Sequence, residues 1–336
     1  MTEKNPMPRP VTENDVTPEA TFQNRRQVLK ALGFGGIASL AAAPLAWGGG
    51  LLADDAAAKS TGPTFPGAVG DGFNDLFPPK RNTKYSLGSR PLTPEPIAST
   101  YNNFYEFTTN QARVWRLAKD FDANPWTVRV TGKVKKEFKF GLEELFRWFP
   151  LEERLYRFRC VEAWAMQVPW SGFPLKKLIE KCEPLGSAKY MRVVSPLDEA
   201  RFPGQKKDKH YPWPYYEAFR IDEATHDLAF VALGIYGHTM PMQHGAPWRV
   251  VMPWKYGFKS PKTLVEIHFS ETKPGTFWND FAPKEYGFFS NVNPAKPHPR
   301  WSQATERDIG TQERRDTLIY NGYADEVASM YTGEEF

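Results

Sequence analysis

Short stretches in which hydrophobic and polar residues alternate dominate the chain after residue 126. Alternation with a period of two predicts strands that have one buried face. On this pattern we predict strands over residues 127–130, within 133–140, and over 155–161, 190–194, 249–252 and 263–269. The uniformly apolar run 228–236 is too short to cross a bilayer, and we interpret it as a buried core segment.

Helical periodicity is confined to two short segments, residues 142–149 and 175–182. In the second segment Leu175, Leu178, Ile179 and Cys182 are spaced i, i+3, i+4 and i+7, which predicts one buried face. Cys182 is therefore expected to be a small core residue rather than a ligand. We expect residues 168–174, which contain two prolines and a glycine, to form a turn before this helix.

The composition adds the expectation of ordered, aromatic-rich loops. The 336 residues include 11 Trp, 14 Tyr, 24 Phe and 30 Pro, which favours many short elements over a helical bundle. With 41% hydrophobic and 24% charged residues the chain is typical of a globular protein. The net charge of +4 is modest, and no nucleic-acid-binding motif accompanies it, so we expect no nucleic-acid partner.

The N-terminus has the pattern of a twin-arginine export signal. The motif RRQVLK at residues 25–30 precedes an uncharged stretch, residues 31–47, and Ala56, Ala57 and Ala58 offer a cleavage site. An uncleaved membrane anchor is the alternative, but the glycines and alanines make a poor spanning helix. We predict a signal peptide over 1–58, an extended arm over 59–100, a catalytic domain over 101–336, and a periplasmic location. Because this route exports folded proteins, it also suggests a cofactor inserted beforehand.

Two cysteines exclude a disulfide-dense scaffold and a four-cysteine zinc site. Cys160 lies near the end of the predicted strand 155–161, and Arg157 and Arg159 precede it. If either arginine turned towards the sulfur, it would favour the thiolate that binds soft metals. Cys160 is therefore a candidate metal ligand, although an isolated cysteine is usually structural.

A second cluster combines glycines with basic residues: QHGAPWR at 243–249 and KYGFKSPK at 255–262. Glycines let a backbone approach a ligand closely, and Arg and Lys side chains suit phosphate. The cluster indicates an anion site, although a basic surface loop over buried aromatics has the same pattern.

Several motifs together resemble the catalytic subunits of periplasmic protein-methionine-sulfoxide reductases, a sulfite-oxidase-like molybdopterin family. The motifs are YNNFYE at 101–106, FRCVEAW at 158–164, PWKYGFK at 253–259, NVNP at 291–294, RWSQATER at 300–307 and NGYAD at 321–325. The resemblance implies an α+β molybdopterin-binding fold with mixed sheets and short helices. It also implies that Cys160 binds molybdenum and that the pterin supplies two further sulfurs.

By position in these motifs, the resemblance implies a set of cofactor contacts. They are Asn102, Tyr105, Glu106, Ser195, His244, Arg249, Ser260, Pro261 and Lys262. Ser195 stands where the family has Thr, and His244 where it has Asn; His244 changes both the size and the titration of the group.

The resemblance further implies reduction of methionine sulfoxide in periplasmic proteins, with electrons from a haem-containing membrane subunit. Cleavage after Ala58 would leave 278 residues, too few for a fused haem domain or an added dimerisation domain. An oxidase or reductase of sulfite or another small S- or N-oxide is the alternative within the fold. A thiol hydrolase using Cys160 and His244 and a non-catalytic binding module are further alternatives.

The residues near the candidate ligand leave smaller questions open. Glu162 would tune the metal or relay a proton only if it faces Cys160, and otherwise it is a solvated or ion-paired carboxylate. Tyr236, Trp170 and Trp254 are candidates for shaping the entrance to the site, although most aromatic residues belong to cores.

Overall fold

A computed structural model describes residues 65, 67–69 and 71–332, all within a compact unit that runs from Thr61 to Phe336. The predicted export signal and its cleavage site lie outside these residues. The assignment of the arm and catalytic domain stays a prediction. Within the described part of the chain, no helix has the length and apolar character that crossing a membrane requires.

The strands form two mixed sheets. Their bounds are β1 Thr127–Gly132, β2 Phe138–Gly141, β3 Glu152–Arg159, β4 Trp164–Pro174, β5 Tyr190–Val194, β6 Tyr216–Arg220, β7 Phe230–Ile235, β8 His238–Thr239, β9 Arg249–Val251, β10 Glu266–Ser270, β11 Thr305–Asp308 and β12 Arg314–Asp316. The five-stranded sheet has the order β2-β1-β10-β5-β6. The seven-stranded sheet has the order β12-β11-β4-β7-β8, with β3 paired to β4 and β9 paired to β7.

Only two strand pairs are parallel among the residues described, β1 with β10 and β11 with β4. The helices are short: α1 Glu95–Thr100, α2 Val114–Ala118, α3 Leu142–Trp148, α4 Leu175–Cys182, α5 Pro203–Lys207, α6 Ile221–Ala224, α7 Phe277–Phe281 and α8 Ala324–Val327. The expectation of an α+β fold with mixed sheets and short helices is confirmed.

Helix α4 has the bounds and the buried face that the periodicity predicted. Leu175, Leu178, Ile179 and Cys182 are all buried, and the side chain of Cys182 packs in the main core. The apolar run 228–236 is also confirmed as core, since it contains the fully buried strand β7.

The predicted turn over residues 168–174 is wrong, because all of these residues belong to β4. This strand pairs with β3 over residues 165–172, with β7 over residues 170–174 and with β11 at residues 164–165, so it has partner strands on both edges. The glycine that suggested a turn is needed for close packing: a Cβ on Gly172 would lie 1.8 Å from the carbonyl oxygen of Val231. A register shift between Ser171 and Gly172 accommodates this approach.

Residues before the first strand also pack against this fold. Val69, Tyr85 and Ala98 belong to the main core, and Asn82 forms a backbone hydrogen bond to the carbonyl of Glu153 at the start of β3. Helix α1 brings residues 95–100 beside the loop that contains His244, where Ser99 Oγ lies 2.9 Å from His244 Nε2.

Candidate active site

Cys160 lies in the tight turn that joins β3 to β4. Strand β3 ends at Arg159, which pairs with Ala165, and the intervening residues reverse the chain. The Cys160 amide donates to Trp164 O at 2.9 Å, and Ala163 has a φ of 61° in the left-handed region. The sulfur is thus positioned by the tip of a long, buried hairpin.

Two hydrogen-bond donors face the sulfur. Asn103 Nδ2 lies 3.2 Å and the Glu162 backbone nitrogen 3.4 Å from Cys160 Sγ. Burial raises the pKa of the Cys160 thiol well above its usual range, and the Glu162 carboxylate raises it further, while Arg159 and both donors lower it. N–H donors to sulfur stabilise the thiolate relative to the thiol, and the thiolate is the form that binds a metal.

Neither neighbouring arginine contacts the sulfur as the sequence suggested. Arg157 donates to Gly322 O at 2.6 Å, and Arg159 pairs with Glu306 at 2.9 Å. The reason is the regular alternation of β3, which directs these side chains towards the C-terminal part of the chain. Arg159 acts on the sulfur only through its charge.

The turn is fixed by hydrogen bonds from Arg159 and from residues far along the chain from it. Trp301 Nε1 and Gln303 Nε2 both donate to Val161 O, at 2.8 and 2.7 Å. Arg159, which is fully buried, donates to Cys160 O, Gln303 Oε1 and Thr317 Oγ1. We call Arg159, Trp301, Gln303, Glu306 and Thr317 the turn clamp.

Glu162 faces the same cleft as Cys160 and is surrounded by neutral donors. It accepts hydrogen bonds from Asn103 Nδ2 at 3.2 Å, Tyr105 Oη at 3.3 Å, Gln111 Nε2 at 3.1 Å and Trp164 Nε1 at 3.3 Å. Among the described residues, none supplies a cation within ion-pair distance of it. Its negative charge is therefore hydrogen-bonded but not neutralised.

These groups border a cleft of about 860 Å³, including its open mouth. Seven of the predicted site residues line it: Asn102, Tyr105, Glu106, Cys160, His244, Arg249 and Lys262. The structure thus brings together residues from three distant parts of the chain. Their role as cofactor contacts stays a prediction.

The inner part of the cleft carries two cations. Burial lowers the pKa of Arg249 to about 9 and that of Lys262 to about 8. Within residues 71–332 neither has a carboxylate at ion-pair distance, and Arg249 donates only to the backbone carbonyls of His244, Ser260 and, more weakly, Val250. The buried Glu106 carboxylate offsets Lys262 in part and raises its pKa. Two buried cations against one buried carboxylate still leave this end of the cleft positive, which favours an anion.

Gly245 brings the two basic segments together. It has a φ of 106°, and a Cβ there would lie 2.7 Å from Lys262 Cβ. Any other residue would separate the 243–249 loop from the 260–262 turn, so the glycine is required for the anion site to form.

His244 does not serve the thiol-hydrolase alternative. Its Nε2 faces Ser99, and burial lowers its pKa to about 3, with Arg249 lowering it further. The hydrogen-bond partners of the Cys160 sulfur are instead Asn103 and the Glu162 backbone. A catalytic thiol requires a base within hydrogen-bond reach, and His244 does not hold that position.

The remaining three predicted residues lie behind the cleft. Ser195 Oγ donates to Lys262 O at 2.7 Å, Ser260 O accepts from Arg249, and Pro261 O accepts from the Val250 amide. Their contacts orient Lys262 and Arg249. The hydroxyl at position 195 is thus used, and a Thr would offer the same donor.

Sequence reasoning missed several cleft residues. Asn103 and Gln243 lie inside the recognised motifs and were identifiable from them, whereas Tyr215, Trp278 and Tyr286 carry no sequence signal. The three aromatic residues proposed for the entrance do not line the cleft. Trp170 and Trp254 are fully buried, and Tyr236 donates its hydroxyl to Thr93 O at 2.6 Å.

The comparison with protein families is specific. Residues 116–278 match the oxidoreductase molybdopterin binding domain. The matched segment is just under half of the chain and contains Cys160 and both basic segments. It leaves out residues 102–106 and every member of the turn clamp except Arg159. The match indicates an oxidoreductase that uses a molybdopterin cofactor.

One solved structure with a distant likeness is the sulfane dehydrogenase SoxCD from Paracoccus pantotrophus. The two chains share 15% identity with a TM-score of 0.44, over 65% of this chain and 53% of that one. The chain therefore spans about half the length of the protein it matches.

The residues of the cleft fit a molybdopterin. Asn102 Oδ1 and Gln243 Nε2 are buried and lack hydrogen-bond partners, so they can bind the polar edge of a pterin. Arg249 and Lys262 fit its phosphate. No cluster of three or more His, Cys, Asp or Glu side chains suited to a metal occurs in the described residues, so a metal at Cys160 needs its other ligands from the cofactor.

Proposed function

We propose that the protein is a molybdenum-dependent reductase of methionine sulfoxide in periplasmic proteins. The family match, the single thiolate at Cys160 and the paired cations of the cleft support a molybdopterin oxidoreductase. The motifs shared with the methionine-sulfoxide reductases support the choice of substrate. The twin-arginine pattern at residues 25–30 supports export of the folded protein.

The negative charge and the aromatic lining of the cleft near Cys160 are the observations that favour this substrate. The unneutralised Glu162 carboxylate lies beside Cys160, and Tyr105, Phe258, Trp278 and Tyr286 line the same cleft. A carboxylate repels an oxyanion such as sulfite. A neutral sulfoxide avoids this repulsion, and its methyl and sulfur atoms make favourable contacts with aromatic rings.

The bound cofactor would supply two-electron oxygen-atom transfer. Overall, the sulfoxide takes up two electrons and two protons and yields the thioether and one water molecule. Electrons come from a donor of the haem-containing membrane class.

The chain's own residues bind and orient these groups. Cys160 would hold the metal, Arg249 and Lys262 the phosphate, and Asn102 and Gln243 the pterin. Burial, with Glu162 next, raises the pKa of Tyr105 far above its usual range, so its hydroxyl keeps its proton and remains a hydrogen-bond donor at the mouth of the site.

The test is a comparison of two substrates on the molybdenum-loaded enzyme. With reduced viologen as donor, we expect reduction of methionine sulfoxide in an oxidised, unfolded protein, and with an electron acceptor we expect no oxidation of sulfite. Replacing Glu162→Gln removes the charge but keeps the size, so sulfite binding should strengthen in this variant. Sulfite oxidation by the wild type without sulfoxide reduction would favour the alternative within the fold.

A further inference from the structure

An aromatic surface leads from the candidate active site to the outside of the protein. Tyr105 and Trp278 line the cleft that contains Cys160, and their ring centroids lie 5.4 Å apart. The Tyr211 ring lies 6.0 Å from Tyr105 and 5.7 Å from Trp278. Phe281 continues the row, at 4.8 Å from Tyr211 and 6.0 Å from Trp278. We call Tyr105, Tyr211, Trp278 and Phe281 the aromatic shelf.

The outer end of the shelf is open to solvent. Among the aromatic residues that the structure describes, Phe281 is the most exposed, at 39%. Tyr211 beside it is partly exposed, and neither side chain lines the cleft. Leaving a phenylalanine ring in water costs free energy, and a partner that covered the ring would recover it.

Helix α7, which carries the outer half of the shelf, is fixed from behind. Phe277 at its start is fully buried in a small aromatic cluster that is separate from the main core. Near its end, Asp280 Oδ2 accepts a hydrogen bond from Tyr216 Oη at 2.7 Å. The shelf is therefore in place before a partner arrives, which lowers the entropic cost of binding.

We propose that the aromatic shelf binds apolar residues that flank the oxidised methionine in an unfolded polypeptide. The inference rests on the proposed function. Because the shelf is continuous with the cleft, a chain whose sulfoxide reaches Cys160 can lay its neighbouring residues along the shelf. A free sulfoxide has no such residues.

The nature of the damaged segments favours an apolar partner. Methionine is among the residues most often buried in folded proteins, and its oxidation disrupts cores. The segments that need repair therefore come from apolar interiors, and they become accessible when the protein unfolds. The four shelf rings carry no charge with which to select a charged neighbour.

The test uses the molybdenum-loaded enzyme with reduced viologen and three substrates: free methionine sulfoxide and two blocked peptides in which the sulfoxide is flanked by two Leu or by two Ser residues. The wild type should have the higher kcat/KM for the Leu peptide. In Phe281→Ala this preference should fall roughly three- to tenfold, because part of one apolar contact is lost. Phe281→Leu keeps an apolar side chain and should retain most of the preference. Both variants should reduce free methionine sulfoxide at an unchanged rate.

Leu185→Ala is the matched control, because Leu185 is exposed to a similar extent, 42%, and does not line the cleft. It should leave all three substrates unaffected. Calorimetric binding of the same peptides with unoxidised methionine gives a second readout that does not depend on turnover. There, too, Phe281→Ala should weaken binding of the Leu peptide.

Other occupants of the shelf would give different results. Slower turnover of all three substrates by Phe281→Ala with a haem-containing donor, but not with viologen, would assign the shelf to that donor and overturn the proposal. Wild-type dimers that Phe281→Ala dissociates in sedimentation experiments would assign it to a second copy of the chain and overturn the proposal as well.

The outcomes also separate the shelf from the proposed function. Equal kcat/KM values for the Leu and Ser peptides, or a preference that persists in Phe281→Ala, overturn the shelf alone. A loaded enzyme that reduces none of the three substrates overturns the proposed function, and the calorimetry then still decides whether the shelf binds apolar peptides.

Discussion

The two cysteines are both buried, but they lie in opposite surroundings. Cys182 faces the core from the end of α4, and burial is the sole cause that raises its pKa, to about 12. Burial also raises the pKa of Cys160, yet two N–H donors and the charge of Arg159 lower it. Burial alone therefore does not distinguish a structural cysteine from a candidate metal ligand; the polar groups directed at the sulfur do.

The largest expected effect comes from making the same substitution at both positions. Cys160→Ser should abolish molybdenum retention and reductase activity with little change in the free energy of unfolding, since the turn can hold a hydroxyl. Cys182→Ser should keep the metal and activity but lose about 1–2 kcal/mol of stability, because a hydroxyl is buried without a partner. Metal analysis and urea denaturation measure both. Full activity in Cys160→Ser would contradict the assignment.

The turn clamp gives the next largest effect. Arg159→Met removes the one fully buried cation that pairs with Glu306, which keeps only the partly exposed Arg90 and Arg315. The variant should lower the free energy of unfolding by about 3 kcal/mol. Arg129→Met is the control, since the Arg129–Glu266 pair is exposed and is expected to contribute less than about 1 kcal/mol. Equal losses in thermal unfolding would show that the clamp adds nothing to the turn.

A smaller effect is expected when one donor to the sulfur is removed. Asn103→Leu deletes the Nδ2 hydrogen bonds to Cys160 and Glu162 while keeping a similar volume. Activity should fall roughly tenfold with molybdenum retained, as is common for groups that orient a metal ligand. Gln111→Leu removes a donor to Glu162 alone and should cost less. The contribution of the N–H···S bond is refuted if the two variants behave alike.

The smallest effect concerns His244, another buried group in the cleft. In the cofactor-free protein its pKa is lowered from 6.5 to about 3, so the unfolded state binds an extra proton between these values. The free energy of unfolding should therefore decrease as the pH falls below 6.5, by about 1 kcal/mol per pH unit from this residue. His244→Asn should reduce this acid sensitivity in urea titrations at pH 6.5 and 5.5. An identical slope in both proteins would exclude His244 as its cause.

Local patterns predicted six of the twelve described strands and two of the eight described helices, and tertiary packing explains the failure at β4. The periodicities of β1, β5 and α4 were sufficient because each buries one face. Strand β4 was missed because its residues are buried on both sides and its prolines and Gly172 resemble a turn. The prolines and Gly172 are tolerated in this strand because β3 and β7 pair with it on either side.

The candidate site was predictable where chemistry and sequence motifs coincide. Cys160, Arg249 and Lys262 belong to such motifs, and the structure brings them to one cleft. Trp278 and Tyr286 were not predictable, because nothing in their local sequence distinguishes a cleft aromatic from a core one. The role of Arg159 was misjudged because its partner Glu306 lies 147 residues away in sequence.

The turn clamp also has a consequence for how the protein is made. Trp301, Gln303, Glu306 and Thr317 are synthesised long after Cys160, yet they fix the turn that contains it. We expect the nascent chain to lack a finished turn at Cys160 until Thr317 has been synthesised and has left the ribosome. A translation product truncated before Trp301 would then have an incomplete turn, and cofactor loading would itself act as a check that the clamp residues are in place.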